Sequence, residues 1–495
     1  MRSISKLSFF LLNTAPILLL SMITCGLFCT PPKTLSQTQY IEDGLRYATP
    51  SNFYSVRQGA FGVAYSGIAD DYAAMYVNPA GLTLLPTSEF TLGAQFLVNN
   101  NSSTFLGNTF VRNGTAFAPT HVGLVLPVRI GEAGNYSFSL GFSRESDFTR
   151  RDSLSGFNTE STLISSWVDG QTTSDLTRNF AWRMKLADTI GTRFFTPVRN
   201  NLQQNIGIQE SGEMNTIAAG FGIDITKNFA VGVSLIGSLG NYRYFRRIQE
   251  VDLQNRYNRL DGVNFTNVDF FRMSYVELLT QQISGLKIIL GAQGRINDNI
   301  RVGGSVTLPT QYQVSENYSQ SGITRFDPQN DSISFNPTDT PLLRYFISSP
   351  LVINLGASAH LAGLTLTFGG EYTNFQTMTF RSSQVDANGV NVVARELLGT
   401  QLRLGVGGEY EFSGTNVLVR GSVGYTSTPY QEGKAQVSSQ MTGAVGIGYY
   451  LAVNSRLDAV YRVVQQTMTN EVYRGLTFQS VQNIHTVALQ YSVRF

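Results

Sequence analysis

The feature that most constrains this chain is a hydrophobic alternation of period two, which starts at Glu89 and continues to the C-terminus. A period of two indicates β-strands with one apolar face. The alternation predicts fourteen strands, an even number as in bacterial membrane barrels, at 89–98, 119–130, 135–148, 214–225, 228–242, 284–296, 299–313, 348–360, 362–375, 401–412, 415–426, 438–451, 455–467 and 484–495.

The connections between these strands alternate between very short and longer segments. This alternation is typical of periplasmic turns and outer loops. Because every backbone polar group inside lipid needs a partner, a spanning sheet must close on itself. The predicted fold class is therefore all-β: a 14-stranded antiparallel transmembrane β-barrel (89–495) in the outer membrane of a Gram-negative cell, with both termini in the periplasm.

Composition agrees with strands that are apolar on alternate residues only. Charged residues make up 14% of the chain, against roughly 25% in soluble domains. A mean hydropathy of -0.05 is too low for a bundle of membrane-spanning helices, each of which needs about 20 apolar residues. The net charge is +2 and no basic run occurs, so no nucleic-acid partner is predicted.

Residues 1–36 are predicted to be a secretory signal peptide. A charged start precedes a mostly apolar run, 7–28, and the predicted cleavage site follows Ser36. A retained membrane anchor is the alternative, since the apolar run is long. The two cysteines, Cys25 and Cys29, lie in this leader, so the exported chain is predicted to contain no disulfide.

The segment 37–88 shows no sustained period and is predicted to be a plug inside the barrel. A barrel of this size leaves a lumen too wide for its own side chains to fill. Proline fixes its own φ and pushes the preceding residue toward extended backbone, which predicts a tight turn near the end of the plug. The predicted plug and gate residues are Asp70, Asp71, Asn78, Pro79, Ala80 and, on the third strand, Gly141.

The predicted lumen face differs between the two halves of the barrel. Buried charges need partners, so the charged half predicts a paired structural wall. The small residues on strands three to five leave volume, either for an apolar conduit or for packing of the plug. The charged residues are Glu371, Arg403, Glu409, Glu411, Arg420, Arg456, Asp458, Arg462 and Arg494. The small residues are Ser137, Ser139, Gly141, Ser143, Ala218, Gly220, Gly222, Ala230, Gly232, Ser234 and Ser238.

The predicted outer loop 247–283 is unusually apolar. Exposed apolar patches usually mark binding sites, which predicts capture of an apolar substrate here. The alternative is that the loop packs against the long 149–213 loop as a lid, and both interpretations hold if the lid has an apolar underside. The predicted substrate-binding residues are Phe265, Val268, Phe270, Phe271, Met273, Leu278 and Leu279.

The stretch before the first strand resembles the N-terminal region of the FadL/TodX family of outer-membrane transporters, in a Bacteroidetes-like member. The matching runs are Ala64–Gly67, Ile68–Asp71 and Asn78–Ala80. The resemblance implies passive uptake of long-chain fatty acids or aromatic hydrocarbons, which outer loops capture and which leave past the plug, sideways into the membrane. It also implies an interruption in the third strand, for which Gly141 is the candidate.

No enzyme is predicted. The histidines, His121, His360 and His485, lie on three different predicted strands, and no metal-ligand spacing or cofactor motif occurs. The predicted partners are the apolar substrate, outer-membrane lipid and lipopolysaccharide, and the outer-membrane assembly machinery, through the C-terminal Phe495. Two alternatives stay open: a protein-docking component of a secretion system, and a general polar porin, which the plug argues against.

Overall fold

The computed structural model describes residues 35–129, 135–173, 176, 179–260, 268–327, 332–336 and 342–495. All but the last two residues of the predicted signal peptide lie outside this part of the chain, so cleavage after Ser36 stays a prediction. Leu35–Phe495 forms one compact unit. No helix in the described ranges is both long and apolar enough to cross a membrane.

The elements are numbered in chain order. The helices are α1 (Leu35–Ala48), α2 (Val56–Phe61), α3 (Ala74–Val77), α4 (Leu163–Val168), α5 (Phe180–Arg183) and α6 (Ala387–Leu397). The strands are β1 (Glu89–Phe105), β2 (Asn108–Arg129), β3 (Asn135–Asp147), β4 (Arg150–Asn158), β5 (Asp188–Ile190), β6 (Arg193–Phe195), β7 (Leu202–Thr226), β8 (Phe229–Val251), β9 (Asp269–Arg295), β10 (Ile300–Thr307), β11 (Gln311–Asp327), β12 (Ser332–Phe335), β13 (Leu343–Ser348), β14 (Val352–Leu361), β15 (Leu364–Asn374), β16 (Thr379–Arg381), β17 (Thr400–Glu411), β18 (Val417–Thr426), β19 (Gln440–Ala452), β20 (Ser455–Tyr473) and β21 (Leu476–Arg494).

Fourteen antiparallel positions form the wall, as predicted. β3 and β4 share the third position because both pair with β7, and β10 and β11 share the seventh because both pair with β9. β13 and β14 share the eighth position, and β15 and β16 the ninth. The ring closes where β21 pairs with β1, from Glu89 opposite Arg494 to Thr104 opposite Gln479.

The strands run further toward the outer side than predicted. β8 continues to Val251 and β9 begins at Asp269, so the predicted outer loop 247–283 is largely strand. On β1, the outward residues are apolar from Phe90 to Val98 and then polar at Asn100, Ser102 and Thr104. The hydrophobic alternation therefore ends at the lipid boundary, whereas backbone pairing continues beyond it.

The segment before β1 lies inside the barrel. Its 3-10 helix Gly62–Gly67 contacts β14, β15 and β17, its 3-10 helix Pro79–Leu84 contacts β7, β8 and β9, and α2 contacts β18 to β21. These strands lie on different sides of the ring, so the segment spans the bore as a plug. At its end, Asn78 is extended (φ -150°, ψ 95°) and its side chain accepts a hydrogen bond from the Ala80 backbone, which is the tight turn predicted around Pro79.

Candidate transport path through the bore

Three apolar clusters follow one another along the bore, and β9 contributes inward-facing residues to each. The outer cluster includes Met273, the middle cluster includes Ile283, and the inner cluster includes Ile289. Polar layers separate them, because β9 also places Glu277 and Lys287 between these apolar positions. An apolar molecule that follows the bore therefore meets apolar and polar levels in turn.

The inner cluster fills the small-residue side of the wall with the plug. A Cβ atom at Gly141 would lie 2.1 Å from Oη of Tyr72, and one at Gly232 would lie 2.4 Å from the carbonyl carbon of Pro79. Only glycine allows so close an approach. Of the two predicted uses of these small residues, the structure therefore shows packing of the plug.

The third wall position is interrupted, but not at Gly141. Gly141 lies in regular strand, paired with Gly123 on β2 and Ala218 on β7. The register shifts between Arg144 and Ser146, and β3 ends at Asp147, three residues before β4 begins. The prediction of a kink at Gly141 is therefore wrong, since this glycine makes room for the ring of Tyr72 and leaves the strand straight.

The plug is bonded to the interrupted strand. The Asn52 backbone amide donates to the Glu145 carbonyl at 3.1 Å, and the Asp147 amide donates to Oγ of Ser51 at 3.2 Å. Ser51 in turn donates from its backbone amide to Oγ of Ser146 at 3.3 Å. The segment 51–52 and the interruption of the third wall position therefore share three hydrogen bonds.

Beyond the interruption, backbone pairing between the second and third wall positions ends. Pairing of β2 with β3 ends at His121 and Ser143, and the remaining outer part of β2 pairs with β1 alone among the described residues. β4 instead lies against the inner faces of β1 and β2. Asn99 and Asn101 of β1 donate from their side chains to the carbonyls of Thr149 and Arg151 at 3.1 and 3.0 Å.

The charged half of the wall is paired, as predicted. Arg403 bonds Glu371 at 3.1 Å and Arg494 bonds Glu89 at 2.9 Å, while Arg456 and Arg420 share Asp458. The exposed Glu411 lies outside this network, and Arg462 donates to the backbone carbonyl of Ser51 at 3.3 Å.

The plug adds a cation to this network that the sequence did not reveal. Arg57 on α2 bonds Glu409 at 2.7 Å and also bonds Asp70, and Glu409 bonds Arg420. Asp71, the second predicted aspartate, accepts from Oγ of Ser55 at 2.8 Å. Both aspartates therefore act in plug hydrogen bonding, and the described residues contain no cluster that could hold a metal ion.

Polar hubs join the plug to the wall between the apolar clusters. Gln281 on β9 donates to Asp43 of α1 and to Glu316, both at 2.8 Å. One level further in, Glu145 bonds Lys287 and accepts from Oη of Tyr54 at 3.2 Å. The sequence offered one usable signal, since Asp43 shares a helix face with tyrosines at the −3 and +4 positions.

The predicted substrate-binding residues do not form one surface, because a strand directs alternate residues to opposite faces. Val268, Phe270 and Met273 pack in the outer cluster, and Leu279 packs in the middle one. Phe271 is 40% exposed and Leu278 lies on the same outward-facing strand side. Phe265 lies outside the described residues. The 149–213 segment packs on this cluster through Phe180, Met184 and others, as the lid interpretation predicts.

The outer cluster contains a set of four aromatic rings. Trp167 lies 5.1 Å from Tyr275 and 5.5 Å from Phe180, and Phe180 lies 4.9 Å from Phe335, between ring centroids. Phe180 and Tyr275 are buried, whereas Trp167 and Phe335 are partly exposed. The set therefore offers an aromatic surface that begins at solvent and continues into the cluster.

A carboxyl group is buried under this lid. Glu250 accepts hydrogen bonds from the Leu163 backbone amide and from Nε2 of Gln204, both at 2.7 Å, while its second oxygen has no partner among the described residues. It lies well beyond the lipid-facing residues of β8, and burial raises its pKa to about 7.

No family model and no curated protein matches this sequence. Solved structures do match. A Pseudomonas aeruginosa FadL homologue aligns with a TM-score of 0.56 at 12% identity, covering 90% of this chain and 100% of the other. The fold is that of the FadL/TodX outer-membrane transporters. The P. putida toluene transporter TodX (0.52, 12% identity, 90% and 99%) and the Ralstonia pickettii toluene transporter TbuX (0.50, 15%, 90% and 98%) share this FadL-type barrel. These matches do not support the Bacteroidetes-like placement.

Proposed function

We propose that this FadL-type barrel is a passive outer-membrane channel for small hydrophobic molecules, long-chain fatty acids or aromatic hydrocarbons, and not an enzyme. The observation that carries the proposal is the series of three apolar clusters that leads from solvent-edged aromatic rings to the plug and the interrupted strand. Two of the similar structures are described as toluene transporters, which supports an apolar substrate.

The path begins at Trp167 and Phe335, and the buried Phe270 and Met273 receive the substrate when the lid opens. The plug fills the inner bore, so onward passage requires it to move. Asp70, Asp71, Asn78, Pro79, Ala80 and Gly141 hold it in the closed state through the contacts above, and Asn78 adds a bond from its side chain to the Ala292 carbonyl at 3.1 Å. Release follows sideways at the interruption, down the concentration gradient.

Insertion into the membrane would use the last strand. Phe495 is 69% exposed, and its backbone amide bonds the Ser88 carbonyl at 3.0 Å, beside the closing seam of the barrel. We infer that the outer-membrane assembly machinery contacts this residue before the seam closes.

A disulfide across the plug and the interrupted strand tests the transport proposal. The two native cysteines lie in the predicted signal peptide, so no native cysteine would compete with a Ser51→Cys/Ser146→Cys pair in the exported chain. Uptake of labelled oleate and of toluene is measured in cells that lack other channels for these compounds. We expect the oxidised pair to lose uptake and to regain it after reduction, with Ser51→Cys alone as control. Equal uptake by oxidised and reduced protein would contradict release past a moving plug.

A further inference from the structure

The outer surface of the barrel changes character above its lipid-facing band. On β8, the outward residues are apolar up to Leu239, which is 58% exposed, and the next outward positions are Asn241, Arg243, Phe245 and Arg247. Both arginines are exposed. They therefore stand above the hydrocarbon layer, Arg243 by roughly 10 Å and Arg247 by roughly 20 Å along the tilted strand, in the headgroup region of the outer leaflet.

Strand register brings a third arginine to the same surface. Arg151 on β4 is opposite Gln209 on β7, and Gln209 is opposite Phe245, so all three side chains share the outward face. Arg243 and Arg247 flank Phe245 two residues away on either side. With strands about 4.8 Å apart and about 3.4 Å per residue, the Arg151 Cα lies roughly 12 Å from that of each other arginine.

These three arginines, the basic flank, have no carboxylate within salt-bridge distance among the described residues. The nearest outward carboxylate, Glu213, is engaged by Arg144 at 3.5 Å and by Nδ2 of Asn241 at 3.1 Å. Arg247 also lies over the Phe245 ring, 5.8 Å from its centroid. Within the described ranges, the basic flank is therefore not neutralised by a carboxylate.

The far side of the barrel gives the contrast. At the same level above the band, the outward residues of β20, β21 and β1 include no arginine or lysine, and the exposed Glu471 near the end of β20 carries the opposite charge. The other outward residues there are Gln465, Thr467, Thr469, Gln479, Val481, Asn483, Asn100, Ser102 and Thr104. Solubility alone would not require arginines on one side and amides and hydroxyls on the other.

We propose that the basic flank binds the phosphate groups of an outer-leaflet glycolipid, phosphorylated lipopolysaccharide. Guanidinium groups bind phosphate oxygens in a bidentate manner, and several of them around one headgroup match a molecule with more than one phosphate. The acyl chains of the same lipid would lie on the apolar residues directly below, such as Leu235 and Leu239. The proposal rests on outer-membrane placement and is independent of what passes through the bore.

Native mass spectrometry of the full barrel with added lipid A tests this site. We expect bisphosphorylated lipid A to bind, and the R151Q/R243Q/R247Q variant to bind it about tenfold more weakly because three charge-assisted contacts are lost. The control R295Q/R395Q/R474Q removes the same charge from exposed positions away from the basic flank and should bind like the parent. A difference in gel migration between unheated and heated samples verifies that each variant is a folded barrel.

Two further measurements distinguish binding of lipid-linked phosphate from binding of free inorganic phosphate. Dephosphorylated lipid A should bind the parent as weakly as bisphosphorylated lipid A binds the triple variant, and millimolar inorganic phosphate should displace little lipid. Equal binding of the two lipids, equal loss in the control variant, or full displacement by inorganic phosphate would each overturn the proposal. Oleate uptake in the same variants distinguishes this outcome from failure of the transport function, because the basic flank lies outside the bore.

Discussion

On the side of the bore formed by β2, β3, β7 and β8, close contact with glycines holds the plug, whereas on the side formed by β17 to β20 a buried network of charges is added to such contacts. Tyr72 and Pro79 fit against glycines with no room for a Cβ atom, and Arg57 reaches into a buried network around Glu409. A close fit is lost as soon as the surfaces separate, but a flexible guanidinium can follow its partner. Under the transport proposal, we therefore expect the plug to separate first from the side formed by β2, β3, β7 and β8, here called the glycine side, which also contains the interrupted strand.

The largest effect is expected from a substitution that disrupts the close packing of the plug against Gly232. A Gly232→Leu side chain would overlap the backbone of Pro79 and Ala80, which cannot move aside as a side chain can. Overpacking of this kind costs about 1–3 kcal/mol or more, so we expect a displaced plug in a folded barrel and a clear rise in ionic current across a planar bilayer. Gly207→Leu is the control, because nothing lies within 4 Å of its Cβ position. Equal currents in the two variants would show that the glycine side does not hold the plug.

Removal of the Arg57 ion pairs tests how charge holds the plug on the side of the bore formed by β17 to β20. Arg57→Gln leaves Glu409 and Asp70 without their plug partner, and breaking a buried pair costs about 3 kcal/mol. We expect faster hydrogen exchange in residues 56–71, with the inner glycine contacts less affected. Arg199→Gln is the control, since its pair with Asp169 is half exposed. Unchanged exchange in Arg57→Gln would mean that charge contributes nothing to plug retention.

The outer lid extends the comparison to a region that covers a buried carboxyl group, Glu250. Because burial raises the folded-state pKa of Glu250 from 4.5 to about 7, the protonated carboxyl favours the closed lid. This contribution is fully present below pH 4.5 and is lost as the pH rises through 7, by up to about 3 kcal/mol. We expect lid residues 160–170 to exchange faster at pH 8 than at pH 5, after correction for intrinsic rates.

Glu250→Gln should remove this pH dependence and keep the lid closed, whereas Glu160→Gln, at an exposed position, should retain it. A lid whose protection is the same at both pH values in the parent protein would exclude Glu250 as its titrating group.

The smallest effect is expected from Tyr72→Phe, which separates the contribution of hydrogen bonds from that of close packing on the glycine side. Oη of Tyr72 lies 3.1 Å from the Phe142 carbonyl, to which it donates, and 3.2 Å from Oγ of Ser143, so Tyr72→Phe keeps the ring contact and loses the hydrogen bonds of the hydroxyl. We expect a loss of about 1 kcal/mol in the opening free energy of the plug, measured by hydrogen exchange. Tyr136→Phe, on the outward face, serves as control. A loss as large as that in Gly232→Leu would mean that hydrogen bonding, and not shape, dominates this side.

The wall was predictable where lipid imposes a pattern. From Phe90 to Val98 on β1, membrane contact demands alternate apolar residues, and the alternation located the strand. Beyond Asn100 that demand ends, so the outer strand extensions were assigned to loops. Strand facing alone placed Arg403 and Glu371 in the paired charged wall, and the structure shows that they bond each other.

The plug contacts were not predictable in the same way. Gly141 looks the same in a sequence whether it allows a kink or admits a ring, and the ring belongs to Tyr72, which lies far away in the chain. Arg57 gave no sign of its partner Glu409 for the same reason, since the contact exists only once the barrel has closed.

The extension of β8 beyond Leu239 has a further consequence. Twelve residues of tilted strand raise the rim roughly 30 Å above the hydrocarbon surface. Under the transport proposal, a solute would therefore reach the lid from the aqueous phase and not from the bilayer. The low aqueous solubility of an apolar compound would then limit how much of it arrives, before the shape of any binding pocket matters.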